Sequence, residues 1–435
     1  VTERAATLAR WASLLALQAA VGAWAVHLGF SHVSDDDYAR VVIAEQFAHA
    51  PRWDPSGTSW LPLPFWVNGT AMLLFGRSLG VASALAWVMG LLSVLVGYAG
   101  MRAASVSRTT AWLATVVVIT TPWSVWLAIA TIPEAPTAAL VFFGAMTLSS
   151  TRWRVLGGGA LAVASLCRYE AWPVCAFFAA VCSVETLRSG SSTGSRAEAG
   201  IAMGLALLGP LAWMAWNAHA HGSWFHFVTR VTAFHKSHAG DPSLEHRLLT
   251  YPLALWTSAP ELSALGLVGA LGGREVFGRW RRPLIAGVCL LAFLVYGDLQ
   301  GGAPTHHSER ALAVLWWLLA GFGLDGVHAI VVRHAWARSK REAWAVAVGV
   351  AGSIAVVSDR VARLRDYPGG GDEDRSAQVA RGLAIRTDPP GELTVVPCEY
   401  EHFALLAALA APERVRIRPP THARVTSSCP ELVKP

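Results

Sequence analysis

The chain reads as a series of long apolar runs separated by short polar connections. Runs near 8–30, 79–101, 110–127, 132–150, 155–168, 171–187, 199–217, 251–271, 283–297, 311–332 and 343–357 predict eleven membrane-crossing helices. About 20 apolar residues cross a bilayer core, and the shorter runs call for tilt or local thinning. The longest early break, 31–78, opens with three consecutive carboxylates, Asp35, Asp36 and Asp37, directly after the first run. At a bilayer centre each would cost roughly 2.5–3.5 kcal/mol, so they belong in water or in a protein-lined cavity. Two readings stay open: acids at a solvated helix N-terminus after Ser34, or acids placed to work at the membrane surface. Within the same break, Tyr38 to Ala50 predicts an amphipathic helix lying along the membrane and ended by Pro51. Trp60 to Trp66 is apolar and proline-broken and should rest in the interface, and 67–74 suggests a second surface helix. The loop 218–250 is also amphipathic and aromatic, as expected of an interfacial belt.

Past the last run, Gly369 to Gly371 and the acids Asp372 to Asp374 read as a linker. Leu393 to Pro397 and Arg414 to Arg418 read as strands, with a helix over Glu399 to Ala411 between them. The expected architecture is an all-α polytopic membrane domain over 1–357, with interfacial helices in its first outer loop. A small α/β appendage over 358–435 would follow it.

Charge placement supplies the topology. Arg and Lys cluster in alternate connections: Arg4 and Arg10; Arg102 and Arg108; Arg152 and Arg154; Arg188 and Arg196; Arg274, Arg279, Arg281 and Arg282; then Arg333, Arg338, Lys340 and Arg341. Such clusters face the cytoplasm. The other connections, with the tail after about 358, then face outward, and they hold 12 of the 15 His.

Composition agrees. The 435 residues are 54% hydrophobic and 15% charged, where a soluble protein is about one quarter charged. The net charge of +6 lies in the short clusters between apolar runs, so it speaks for membrane topology and against nucleic acid. Twenty Trp suit a large surface at headgroup level. Of the six Cys, four lie in or beside apolar runs and read as packing residues. Cys398 and Cys429 lie in the tail and could pair in an oxidising compartment. Ala23 to Ala25 resembles a signal-peptidase site, but the run continues through Phe30, so an uncleaved first helix is expected.

Four further outward features carry unusual charge. Glu134 follows Pro133 at the start of the fourth span. Arg168-Tyr169-Glu170 breaks the apolar region between spans five and six. Asp298 ends span nine, and His306-His307-Ser308-Glu309-Arg310 precedes span ten. Ionisable groups at such depths usually face a bundle cavity. Mutual neutralisation, such as Arg168 with Glu134 or Glu309, is the plainer alternative. Arginine offers a planar fork matched to phosphate oxygens, and a neighbouring carboxylate can take a proton from a hydroxyl. Together they suit displacement of a lipid phosphate by an alcohol.

These motifs resemble those of the GT-C-fold glycosyltransferases. Asp35-Asp36-Asp37-Tyr38-Ala39-Arg40, with Pro55 and Trp60-Leu-Pro-Leu-Pro64, is similar to the first outer loop of the protein mannosyltransferase-like and aminoarabinose-transferase-like members. Ile132-Pro-Glu134, Cys167-Arg-Tyr-Glu170 and His307-Ser-Glu-Arg310 resemble later motifs of the superfamily, and the likeness covers roughly 1–340. The resemblance implies a GT-C-like bundle and a polyprenyl-phosphate sugar as donor. It further implies a lipid, glycan or protein as acceptor and an aspartate of this loop as base or acceptor-binding acid. The usual acidic pair is a triplet here, so the register of the base is open among Asp35, Asp36 and Asp37, with Asp36 favoured, then Asp35. Arg168, Arg310 and His307 would hold the donor phosphate, and Glu134, Tyr169, Glu170, Asp298, His306 and Glu309 would shape the pocket. The lysine that commonly precedes the double proline is absent.

No zinc motif appears. His219 with His221, or His306 with His307, could take a divalent ion such as Mg or Mn beside an Asp, although solvated interfacial histidines explain them more simply. No nucleotide-binding motif is present, so a lipid-carried donor fits better than a nucleotide sugar. The expected protein is an integral-membrane transferase acting with inversion, with its site on the extracytoplasmic side of a bacterial inner membrane. A transporter or flippase of a lipid-linked or anionic solute is the alternative. It calls for charges at mid-membrane depth, whereas these lie at helix ends on one side.

Overall fold

The computed structural model describes residues 3–187, 193–238, 243–301, 307–334, 359–369, 373–386, 391–397, 400, 402–418 and 431–433. The helices, in order, are α1 (Glu3–His27), α2 (Asp35–His49), α3 (Leu63–Phe75), α4 (Leu79–Ala103), α5 (Arg108–Ile119), α6 (Pro122–Ile129), α7 (Glu134–Thr147) and α8 (Arg154–Ser165). Then follow α9 (Trp172–Leu187), α10 (Thr193–His221), α11 (His226–His238), α12 (Leu244–Ser258), α13 (Pro260–Gly269), α14 (Arg274–Leu299) and α15 (Ala313–His334).

Among the described residues five helical stretches are long and apolar enough to cross a membrane: Leu79–Ala103, Tyr169–Leu187, Thr193–His221, Arg274–Leu299 and Ser308–Arg333. A sixth crossing results if α5 and α6, bent by 79°, count as one. The protein is an integral membrane protein, but the expected eleven full spans are not all present as such. Pro122 sits in the first turn of α6 and breaks the run expected at 110–127, since proline disfavours helical backbone in the residue before it, and Thr121 is extended (φ −68°, ψ 130°). Pro260 likewise divides 251–271 into α12 and α13. The runs at 132–150 and 155–168 fold as α7 and α8, of 14 and 12 residues. Helix α7 is buried on most of its surface, and a helix enclosed by protein need not match the bilayer thickness. The run at 343–357 lies outside the described residues, as do His306, Cys398 and Cys429.

Helix contacts inside a membrane rest on close backbone approach at small residues. At Gly158 of α8 an added Cβ would collide with the backbone of Ala202 in α10, and at Gly90 of α4 with the carbonyl of Ala128. Helix α7 sits at the centre, against α4, α8, α14 and α15. Its Phe142 stacks on Trp317 of α15 with ring centroids 5.5 Å apart.

The tail is an α/β unit as expected, with more in it than the sequence reading held. Helix α16 (Glu373–Arg386) begins inside the stretch read as a linker, with Asp374 in its first turn, where the helix dipole favours an acid. Strands β1 (Leu393–Val396), β2 (Val415–Ile417) and β3 (Glu431–Val433) form a sheet in the order β2-β1-β3. β1 runs parallel to β2, with Leu393 opposite Val415, and antiparallel to β3, with Thr394 opposite Val433. Helix α17 (His402–Leu409) packs Ala404, Leu405 and Leu406 against Tyr38, Val41 and Val42 of α2. Helix α2 therefore lies between α3 and α17 and does not float on the membrane surface as its amphipathic pattern predicts. The apolar stripe meets protein instead of lipid, which periodicity alone cannot distinguish.

Candidate active site

The site starts at the first turn of α2. Ser34 is extended (φ −159°, ψ 173°), and the three acids that follow sit at a helix N-terminus, where unpaired N–H groups favour negative charge. Their side chains then diverge. Asp37 is 3% exposed. Its Oδ2 accepts from the Val33 and Ser34 amides at 3.1 Å each, and its Oδ1 accepts from the Thr131 amide at 3.0 Å. Asp37 thus fixes the helix start against the 130–133 connection between α6 and α7. Asp35 takes a two-pronged ion pair from Arg375 of α16, Nε to Oδ1 at 2.8 Å and Nη2 to Oδ2 at 2.9 Å. Asp36 receives Arg310 Nη1 on Oδ2 at 2.8 Å, and its Oδ1 has no partner among the described residues.

Arg310 lies in the 3-10 turn Ser308–Leu312 that leads into α15. It donates through Nη2 at 2.5 Å and Nε at 2.8 Å to Glu134 Oε1, and through Nη1 to Ser34 Oγ at 3.2 Å. Glu134, 1% exposed, opens α7 just after Pro133. The same Oε1 also accepts from Arg168 Nη1. Arg168 in turn holds Glu170, with Nε 3.1 Å from each carboxylate oxygen and Nη2 on Oε1. Asp36, Arg310, Glu134, Arg168 and Glu170 therefore form one continuous network. Charges taken out of water cost several kcal/mol each unless paired and hydrogen-bonded, and here each of the five has such a partner.

Arg40 is the exception. It follows Asp36 by four residues and so shares its helix face. It is 7% exposed, and its Nε and Nη1 have no hydrogen-bond partner. Its guanidinium lies 4.5 Å from the Trp60 ring centroid and 5.7 Å from that of Phe65, where cation–π attraction holds its plane. Asp36 and Glu134 are close enough to act on its charge. Buried polar atoms without partners are few in native proteins, and an arginine fork of this kind is shaped for an oxyanion. Burial raises the Asp36 carboxyl, but Arg310 and Arg40 outweigh that and hold it below its ordinary 3.8, so it is ionised at neutral pH.

The other expected residues are placed as follows. Tyr169 donates to the Ser59 carbonyl at 2.7 Å, accepts from Trp213 Nε1 at 3.0 Å and stacks on Phe227 at 4.7 Å. It ties the first outer loop to α10 and α11. His307 lies 5.7 Å from the Trp123 ring. Asp298 and Glu309 are half-buried, with no side-chain partner among the described residues and no contact with the network. Four residues that the sequence reading gave no role also bear on the site: Arg40, Arg375, Thr131 and Tyr251. Tyr251 of α12 has a buried hydroxyl without a partner and lies within electrostatic reach of Glu170 and Asp298. The four-residue spacing from Asp36 was a signal for Arg40; no local signal marks the other three.

Among the described residues no three His, Cys, Asp or Glu side chains come together as metal ligands. The carboxylates of the network already face guanidinium groups. Such a donor set fits an anion better than a divalent cation.

No protein-family model matches the chain, and no curated protein does. Solved structures do. ArnT from Cupriavidus metallidurans bound to undecaprenyl phosphate is 15% identical, with a TM-score of 0.56 over 96% of this chain and 90% of that one. The same protein in its apo state is 18% identical, with a TM-score of 0.55 over 94% and 89%. The oligosaccharyltransferase of Archaeoglobus fulgidus in complex with Zn and sulfate is 12% identical, with a TM-score of 0.52 over 93% of this chain. This chain spans 62% of that enzyme's length. The membrane bundle, with its charged network gathered at one end, thus shares its fold with ArnT and with the archaeal oligosaccharyltransferase.

Proposed function

We propose that the chain is an integral-membrane glycosyltransferase that moves a sugar from a polyprenyl phosphate to an acceptor on the extracytoplasmic side, with inversion. The observation that carries this reading is the buried Arg40 guanidinium, whose Nε and Nη1 lack a partner beside an ionised Asp36, in a network whose other charged side chains are each ion-paired. The solved structure of ArnT with undecaprenyl phosphate and that of an archaeal oligosaccharyltransferase with a dolichol-phosphate support a lipid phosphate as the anion.

In this reading Arg40 binds the phosphate of the donor. Asp36 Oδ1 takes the proton from an acceptor hydroxyl or amine as its oxygen or nitrogen attacks the sugar C1. The C1–O bond to phosphate breaks, the electron pair leaves on the polyprenyl phosphate, and Arg40 stabilises that charge. Every guanidinium nitrogen of Arg168 and Arg310 already donates to this network. These two arginines hold Asp36 and Glu134 in place and add positive field, while Arg40 makes the direct contact. Asp35 and Asp37 position the helix, and Tyr169 with the loop before it covers the site. The acceptor is a lipid, glycan or protein; nucleic acid has no role.

Purified full-length protein incubated with a panel of polyprenyl-phosphate sugars should release free polyprenyl phosphate for one of them when acceptor is present. Donor binding that Arg40→Gln leaves unchanged, or turnover that survives Asp36→Asn, contradicts the assignment.

A further inference from the structure

At the opposite end of the bundle a cavity of about 440 Å³ is lined by Arg279, Arg281, Arg282, Ser105 and Ser149. It lies where α4 and α7 end and α14 begins. The other end of α7 carries Glu134, so the cavity and the acid–arginine network sit at opposite ends of the same helix. Helix α4 alone, with 25 residues, runs about 37 Å at 1.5 Å per residue.

The arginines are fixed from behind and open in front. Arg279 uses one nitrogen, Nη1, for both oxygens of Asp325, at 3.0 and 2.7 Å, and Asp325 is itself held by Trp280 Nε1 at 2.9 Å. Arg282 uses Nη1 for the Leu148 carbonyl at 2.7 Å and for Glu185 at 2.8 Å. Among the described residues their Nε and Nη2 have no partner, and no nitrogen of Arg281 has one. Glu185 is shared with Arg154, so positive charge is in excess. Pro283 has no N–H to give the Arg279 carbonyl, and Ser149 Oγ donates to that carbonyl instead, at 2.6 Å. Ser105 adopts φ 64°, a left-handed conformation that non-glycine residues hold mainly where the surroundings enforce it.

What the cavity adjoins identifies its ligand. Phe277, Arg281, Ile285 and Val288 follow one another at four-, four- and three-residue steps, one stripe of a helix. The three apolar members are 54%, 41% and 65% exposed, so this stripe of a membrane-crossing helix faces lipid. A lone guanidinium in such a stripe, at the mouth of a basic cavity, matches a phosphodiester with acyl chains beside it. Basic pockets at the ends of membrane helices bind anionic headgroups in this way. We propose that this cavity binds the phosphate of an anionic phospholipid from the adjacent leaflet, at a site separate from the acid–arginine network.

Native mass spectrometry of the full-length protein in detergent tests this directly, with phosphatidylglycerol, phosphatidylcholine and inorganic phosphate titrated separately. Phosphatidylglycerol should bind in preference to phosphatidylcholine. Arg281→Gln, which breaks no pair, should weaken it about tenfold. Arg152→Gln, an exposed arginine at the same end but outside the cavity, should stay within about twofold, as an isolated surface charge does. Equal binding of the two lipids, no effect of Arg281→Gln, or an equal loss in Arg152→Gln overturns the site. Displacement of the lipid by inorganic phosphate, with the same sensitivity to Arg281→Gln, assigns the cavity to free phosphate and overturns the lipid.

Discussion

Arg40 carries an unusual burden for one side chain. A charge-assisted hydrogen bond is worth about 1.5–3 kcal/mol, so Arg40→Gln should lower kcat/KM by about 10- to 100-fold. The same change removes a buried unpaired charge, so thermal stability should hold or rise while activity falls. Asp36→Asn should cost at least about 100-fold in turnover, the lower bound for a general base, with protein level unchanged. Asp35→Asn should cost less, because its carboxylate is spent on Arg375. At this scale the sequence was partly legible. Asp36, Glu134, Arg168, Glu170 and Arg310 each stand out as charges at the ends of apolar runs, and the structure brings them together. Arg40 did not stand out because one arginine in an amphipathic helix looks like solvated surface, and only the packing of Trp60 and Phe65 makes it buried. Asp298 and Glu309 showed the same signal and lie outside the network.

Glu45 shows what the helical pattern concealed. It lies on α2, fully buried, with neither carboxylate oxygen bonded. Burial pushes its pKa up to about 9, against the pull of Arg77 and Arg386. The folded state therefore keeps a proton that the unfolded chain, near 4.5, gives up. Stability contributed here falls as pH rises from about 4.5 to about 9 and is level beyond. Glu45→Gln should remove that slope and stabilise the protein at pH 7 by on the order of 1–3 kcal/mol, measured by thermal unfolding across pH. The α8–α10 contact offers a second test. Gly158→Leu would force its side chain into the Ala202 backbone, and overpacking typically costs about 1–3 kcal/mol, readable as a lower melting temperature in detergent. Long runs such as 79–101 and 283–297 were legible as helices, because length and apolarity suffice. The runs at 132–150 and 155–168 fold as helices shorter than a full span, Glu134–Thr147 and Arg154–Ser165, because the sequence does not show whether a run meets lipid or protein.

Across the whole molecule, the tail is bound to the bundle by pairs from 99 to 340 residues apart. Arg375 holds Asp35, Arg77 holds Glu413 at 2.7 and 2.9 Å, and Arg360 reaches Glu261 at 2.7 Å and the Val117 carbonyl at 2.6 Å. Nothing local in the sequence announces such contacts, which is why the tail read as an appendage. Removing residues 359–435 should leave membrane insertion intact and abolish transfer, since α2 would lose one of its two supports. Reporter fusions at Asp54, Glu170 and Ser308 should all report the extracytoplasmic side.

The most direct measurement is a structure of the full-length protein with a polyprenyl phosphate. The account predicts the phosphate on the Arg40 guanidinium, within reach of the face that bears Asp36. A phosphate bound elsewhere, with Arg40 still unpartnered, would contradict it.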